Sequence, residues 1–229
     1  MIPTEASKMN TISRVKRPKS AARKTYDRIS RFYDLLAGSS ETPYMRKGLQ
    51  MLEIERGESV LEIGTGTGKA LMELCQKAGD RGIVCGLDIS AGMLEVTRNK
   101  LGKANLAERA GLVNGDGAIL PFASASFEAL FMSFTLELFD TPEIPLVLRE
   151  CWQVLKPGGR ISVVSMLKPE QTSWVVRLYE WFHERLPNYV DCRPIMAGTM
   201  LQGAGFIVTG RRVESMWGLP VELVRGRKG

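Results

Sequence analysis

The residues of this chain best suited to chemistry are a run of glycines, the acid Glu62 that leads into it, and two acids spaced behind it. The run reads Val60-Leu61-Glu62-Ile63-Gly64-Thr65-Gly66-Thr67-Gly68. An apolar stretch enters the glycines and a helical pattern leaves them. Glycine turns tightly and lets a ligand lie against the backbone, and a helix start offers free N–H groups. Two specific uses can be tested on the letters. A phosphate-binding P-loop needs Gly five positions before Gly68 and Ser or Thr after Lys69. Ile63 and Ala70 stand there instead, so that use fails. A GxGxxG dinucleotide fingerprint needs Gly where Lys69 stands, which weakens a nicotinamide-cofactor reading.

The second acid is Asp88, in Gly86-Leu87-Asp88-Ile89-Ser90, twenty residues past Gly68. At the carboxyl end of a second strand, a carboxylate can accept both hydroxyls of a ribose. A helix cap is the bland alternative, but Ser90 already fills that role. The third acid is Asp116, in Asn114-Gly115-Asp116-Gly117, where it could accept from an adenine amino group or simply serve a turn. For proton transfer the candidates are His183, the sole histidine, whose near-neutral pKa suits a general base, and more weakly Tyr179. Tyr26 and Tyr33 stand seven residues apart, two helical turns, and so share one helix face. The scattered cysteines 75, 85, 151 and 192 make no CxxC pair, which points to free thiols. No metal-ligand cluster is visible.

These residues need elements to hold them. Helical spacing runs from Ser20 through Tyr26, Ile29, Tyr33 and Leu36, with Gly38 as a stop, and a second helix covers 42–52. Strands are expected at 59–63, 82–87, 112–114, 127–133 and 160–165. Helices at 68–78, 90–101 and 142–155 alternate with them, and Lys156-Pro157-Gly158-Gly159 is read as a turn. Alternating strands and helices imply a mostly parallel sheet covered on both faces. A lid insertion spans 166–200, with Trp174, Leu178, Trp181 and Phe182 at helical spacing. Extended segments at 206–209, 212–217 and 221–225 close the sheet. The organisation is therefore a basic arm (1–19), then one domain (20–229) whose residues 20–55 form a helical cap.

The net charge of +6 belongs to the front of the chain. Nine basic residues and one acid lie between Lys8 and Arg31; the remainder carries 22 basic and 24 acidic residues. Residues 8–31 could meet an anionic membrane surface, while residues 1–19 are expected to be a solvated tail. No apolar run reaches the roughly 20 residues of a membrane span, and no secretory signal is visible. The expected place is the cytoplasm, peripheral at the inner membrane face if the arm binds lipid.

Four separated segments, VLEIGTGTG, GLDIS, NGDGAILPFASASFEALFMSF and LKPGGRISVV, together resemble the class I S-adenosylmethionine-dependent methyltransferases. The resemblance covers residues 59–165 and implies a Rossmann-like seven-stranded sheet with an antiparallel last strand. It implies S-adenosyl-L-methionine as cofactor, with Gly64, Thr65, Gly66 and Gly68 along its methionine part and Glu62 supporting the amino group. Asp88 would hold the ribose, Ile89 and Met93 would flank the adenine, Asp116 and Gly117 would meet its edge, and Ser133 would border it. The front end, Tyr26-Asp27-Arg28-Ile29 with Tyr33-Asp34, resembles the ubiquinone/menaquinone-biosynthesis methyltransferases. The GTGTG loop departs from their GGTGD and is closer to bacterial phosphatidylethanolamine N-methyltransferases. The expected acceptor is a small or lipid-like molecule, a membrane-associated quinone precursor or a phospholipid amine. A soluble metabolite stays open as the alternative, and a NAD(P)-dependent reductase is a weaker one that lacks a Tyr-x-x-x-Lys pair. Nucleic acid is disfavoured, because Ser133-Phe134-Thr135-Leu136 stands where base-amine methyltransferases carry [Asp/Asn]-Pro-Pro-[Tyr/Phe], and no Pro-Cys pair exists.

Overall fold

The computed structural model describes residues 12, 14, 15, 17–30, 38–169 and 193–229. Tyr33, Tyr179, His183 and the aromatic residues expected on the lid helix lie outside them, as does residue 192.

Seven strands form one sheet in the order β3-β2-β1-β4-β5-β7-β6. They are β1 (Ser59–Ile63), β2 (Ile83–Asp88), β3 (Ala110–Asn114), β4 (Phe127–Ser133), β5 (Leu155–Met166), β6 (Ile207–Met216) and β7 (Leu219–Arg227). The first five pair in parallel, and β7 runs antiparallel to both β5 and β6. The expected sheet with its reversed last strand is therefore present. The helices are α1 (Lys19–Ile29), α2 (Gly38–Leu52), α3 (Lys69–Ala78), α4 (Ala91–Lys103), α5 (Ile144–Val154) and α6 (Ala197–Gly203).

Strand alternation sorts the core into two layers. Leu61, Ile63, Leu130, Met132, Ile161 and Val163 face α5 and α6, packing on Val147, Leu148, Cys151 and Leu201. Val60, Val84, Ala129, Phe131 and Val164 face the other way, onto Met45, Leu49 and Leu52 of α2 and Leu71 and Leu74 of α3. Buried on both sides, the central strands read as the near-continuous apolar runs that a parallel sheet requires.

Three expectations change. Helix α2 begins at Gly38, four residues before the expected Thr42, and α1 ends at Ile29. The Lys156-Pro157-Gly158-Gly159 segment lies within β5 as a bulge: Phe127 pairs Leu155 and Ala129 pairs Arg160. Gly158 takes φ +75° there, a value that favours glycine. The basic front segment, where described, lies against the body instead of standing off as a solvated tail. Ile12 is buried in the α5-side core, and Arg14 makes hydrogen bonds of 2.6–3.0 Å to Asp140. That guanidinium, with N–H donors from Val15 and Thr141, holds Asp140 down to about 2 against the effect of burial.

Helix α2 lies close against the sheet. A Cβ on Gly48 would stand 2.4 Å from Val164 Cγ2 and 3.1 Å from Phe131, so only glycine lets the helix lie this near. Ser162 Oγ donates to Gly48 O at 2.9 Å, and Arg160 Nε donates to Leu52 O at 3.0 Å. These contacts fix the helix whose first turns reach the crevice at the carboxyl ends of the strands.

Candidate active site

A crevice opens at the carboxyl ends of β1 to β4, lined by the glycine loop, by residues that follow each strand, and by α1 and α2. In an open α/β sheet this edge is where ligands bind. The loop is held from behind: the N–H groups of Gly64 and Thr65 donate to Leu87 O at 2.8 and 3.2 Å, and Thr97 Oγ1 donates to Gly66 O at 2.9 Å. Gly64 and Gly66 take φ +76° and +53°. A Cβ on Gly64 would meet Thr135 Oγ1 at 2.2 Å, so the loop after β4 is pressed onto the first glycine. Gly68 stands at the rear of the loop. It does not line the crevice; it caps α3 with φ +81° and faces Thr97, where a Cβ would stand 2.6 Å from Cγ2.

Two buried acids sit side by side behind the loop. Glu62 is only 3% exposed, and its Oε2 has no hydrogen-bond partner among the described residues. Burial and then the nearby Asp88 charge push its pKa well above the ordinary glutamate value. A buried carboxyl oxygen without a donor costs free energy, and a ligand ammonium would supply the missing donor and countercharge. Asp88 ends β2, with Oδ2 accepting from Gly66 N at 2.7 Å and Oδ1 from Ser90 N at 2.8 Å. Burial raises Asp88 while those two N–H donors pull it back. Ser90 Oγ caps α4 by accepting from Met93 N at 3.1 Å, so the cap assignment made from the sequence is correct. That leaves Asp88 at the crevice wall.

Beyond β2, Ile89, Met93, Asp116 and Gly117 form the far wall. Asp116 meets Lys19 Nζ of α1 at 2.6 Å, and the same ammonium meets Glu143 at 2.8 Å. Asp27, one helical turn after Arg23, accepts from Ser90 Oγ at 2.6 Å and Gly92 N at 3.0 Å. Helix α1 thus bridges the crevice mouth, with Ala22 and Tyr26 on its inner side. Ser133 ends β4 at the crevice, and Phe134 follows it with φ +50°, an uncommon conformation for a bulky residue that tends to mark functional positions.

All but one of the cofactor residues expected from the sequence therefore meet in one place: Glu62, Gly64, Thr65, Gly66, Asp88, Ile89, Met93, Asp116, Gly117 and Ser133 line the crevice, and Gly68 stands behind it. Of the acceptor-side candidates, Tyr26 lines it, while Tyr33 and His183 lie outside the described residues. Several lining residues escaped the sequence: Lys19, Glu41, Met45, Phe134 and Phe139. For Glu41 a signal existed. With Met45, Gly48 and Leu52 it falls at helical spacing on the stripe of α2 that faces the sheet, an odd place for a carboxylate. Among the described residues no group of His, Cys, Asp or Glu could hold a metal, and no helix is long and apolar enough to cross a membrane.

Donor and acceptor types across the crevice match S-adenosylmethionine part by part. The solitary oxygen of Glu62 suits its amino group, Asp88 its ribose hydroxyls, and Ile89 with Met93 the apolar faces of its adenine. The comparisons with known proteins agree. A family profile described as a methyltransferase domain matches residues 60–159. A demethylmenaquinone methyltransferase of Corynebacterium kroppenstedtii is 35% identical over 76% of this chain and 71% of its own length. One from Listeria welshimeri is 29% identical over 72% and 71%. A SAM-dependent methyltransferase structure from Aquifex aeolicus superposes with a TM-score of 0.61, covering 93% of this chain and all of that one at 22% identity. That last likeness bears on the fold alone.

Fold and crevice define a methyltransferase that uses S-adenosylmethionine. The chain belongs to the class I S-adenosylmethionine-dependent methyltransferases, in the branch that resembles the enzymes of menaquinone biosynthesis.

Proposed function

We propose that the enzyme methylates a lipid-borne aromatic acceptor of the quinol-precursor type, at a membrane surface that α1 helps it meet. The observation that carries this is the character of the crevice beyond the cofactor cradle. Ala22, Tyr26, Met45, Phe134 and Leu138 line it, an apolar and aromatic enclosure suited to a flat ring. Its relatives' names agree: both are demethylmenaquinone methyltransferases. The exposed Arg23, Lys24 and Arg28 on α1 supply charge complementary to anionic lipid.

A sulfonium methyl is already activated, so the protein's tasks are to align acceptor, methyl and sulfur in line and to keep water out. Helix α1, tied across the mouth by Lys19–Asp116 and Asp27–Ser90, serves the second task. Tyr26, and Tyr33 with His183 from outside the described residues, are proposed to face the acceptor. The test is transfer of labelled methyl to three acceptors in parallel: reduced short-chain demethylmenaquinone, phosphatidylethanolamine liposomes, and a lipid-free metabolite extract. The quinol should be labelled fastest. Label confined to the extract would replace this proposal with a soluble acceptor, and label on the liposomes would replace it with a phospholipid amine.

A further inference from the structure

One carboxylate that lines the crevice, Glu41, is not among the residues matched above to a part of the cofactor. Adenine, ribose and amino-group residues follow β3, β2 and β1 in turn, so the cofactor's length runs across the sheet in that direction. The next strand along is β4, and there the crevice wall changes to Phe134, Thr135 and the first turns of α2. Glu41 projects from α2 at this end, one turn before Met45, on a helix pinned by the close contact at Gly48. In that orientation the methyl end of the cofactor and the incoming acceptor would meet here.

We propose that Glu41 is the general base that takes the acceptor's proton during methyl transfer, an assignment that rests on the methyl-transfer reading of the crevice. The acceptor atom forms a bond to the methyl carbon. The carbon–sulfur bond breaks and leaves its electron pair on sulfur, which becomes a neutral thioether. The proton that the acceptor must shed passes to a Glu41 carboxylate oxygen and then to solvent. The neighbouring charges suit the task. Lys69 on α3 favours the ionised carboxylate, while burial, the larger influence, opposes it and raises Glu41 to about 7. A base poised near the working pH is the most effective kind. Behind it, Glu137 is fully buried, with Oε1 accepting from Met166 N at 3.1 Å and Oε2 without a hydrogen-bond partner among the described residues. Burial raises Glu137 to about 8, with Glu41 adding to the rise and Arg193 opposing it. At neutral pH Glu137 is therefore mostly uncharged, which spares Glu41 a like charge.

The experiment compares wild type, Glu41→Gln and Glu41→Asp with reduced short-chain demethylmenaquinone across about pH 5.5–9. It also measures S-adenosylhomocysteine affinity by calorimetry and carboxyl protonation by infrared difference spectra. Glu41→Gln should lose roughly 10²–10⁴-fold in kcat and the acidic limb of the pH profile, at unchanged affinity for the nucleoside. Glu41→Asp should recover part of the rate and keep a pH limb, which a purely structural role would not predict. Turnover of Glu41→Gln within about twofold of wild type, with the same pH profile, would overturn the assignment. If wild type transfers no methyl to this probe, the acceptor proposal is the one that fails. The spectra then decide: a carboxyl band lost near neutral pH in wild type and missing from Glu41→Gln supports the base, and no such band refutes it.

Discussion

Glu62→Gln probes the cradle at its most loaded point. In the free enzyme, burial and then the Asp88 charge push the Glu62 carboxyl above its ordinary pKa and so favour its protonated form. An ammonium brought to its solitary Oε2 reverses that balance and favours the carboxylate. Binding therefore shifts Glu62 toward the carboxylate with release of a proton, so affinity climbs as pH rises, by at most about tenfold per unit. Glutamine can neither release a proton nor offer a charge. It should cost the roughly 1.5–3 kcal/mol of a charged hydrogen bond, about 10- to 150-fold in Kd, and flatten the pH dependence. Calorimetric titration with S-adenosylhomocysteine in buffers of different ionisation enthalpy counts the proton directly. Wild-type heats that do not depend on the buffer, or a glutamine variant with wild-type affinity, would show that Glu62 does not meet the amino group.

Other positions yield equally definite expectations. Asp88→Asn should weaken nucleoside binding by roughly 1.5–3 kcal/mol while the melting transition persists; unaltered affinity would remove Asp88 from the ribose. Glu137 holds a proton in the folded state up to about pH 8 that the unfolded chain loses near pH 4.3. Stability should consequently fall as pH rises through that window, by at most about 1.4 kcal/mol per unit. Glu137→Gln should make urea-unfolding free energies at about pH 5.5 and 8 more alike, and an undiminished slope would contradict its burial as an acid. Lys24→Glu with Arg28→Glu should reduce co-sedimentation with anionic vesicles without changing affinity for the nucleoside. Equal sedimentation would take α1 out of membrane contact.

Much of the crevice could be read from the sequence because its parts are local. A buried strand, glycines with positive φ and a following helix occupy consecutive residues, and Asp88 and Asp116 each sit where their own strand ends. Residues that arrive from a distance could not be read. Lys19 reaches Asp116 across 97 positions, and nothing in its neighbourhood announces that bond. Glu41 stayed hidden because the helix was expected to start at Thr42, one residue too late to place it on the sheet-facing stripe. Similarly, the proline and glycines before Arg160 signal a break in pairing, but whether that break is a turn or a bulge depends on the partner strand.

Determining the structure of the chain with S-adenosylhomocysteine bound measures the main assertion without intermediaries. The amino nitrogen should lie within hydrogen-bonding distance of Glu62 Oε2, the ribose hydroxyls on Asp88, and the adenine between Ile89 and Met93. A nucleoside lodged elsewhere, or one whose amino group leaves Glu62 Oε2 alone, would contradict the account.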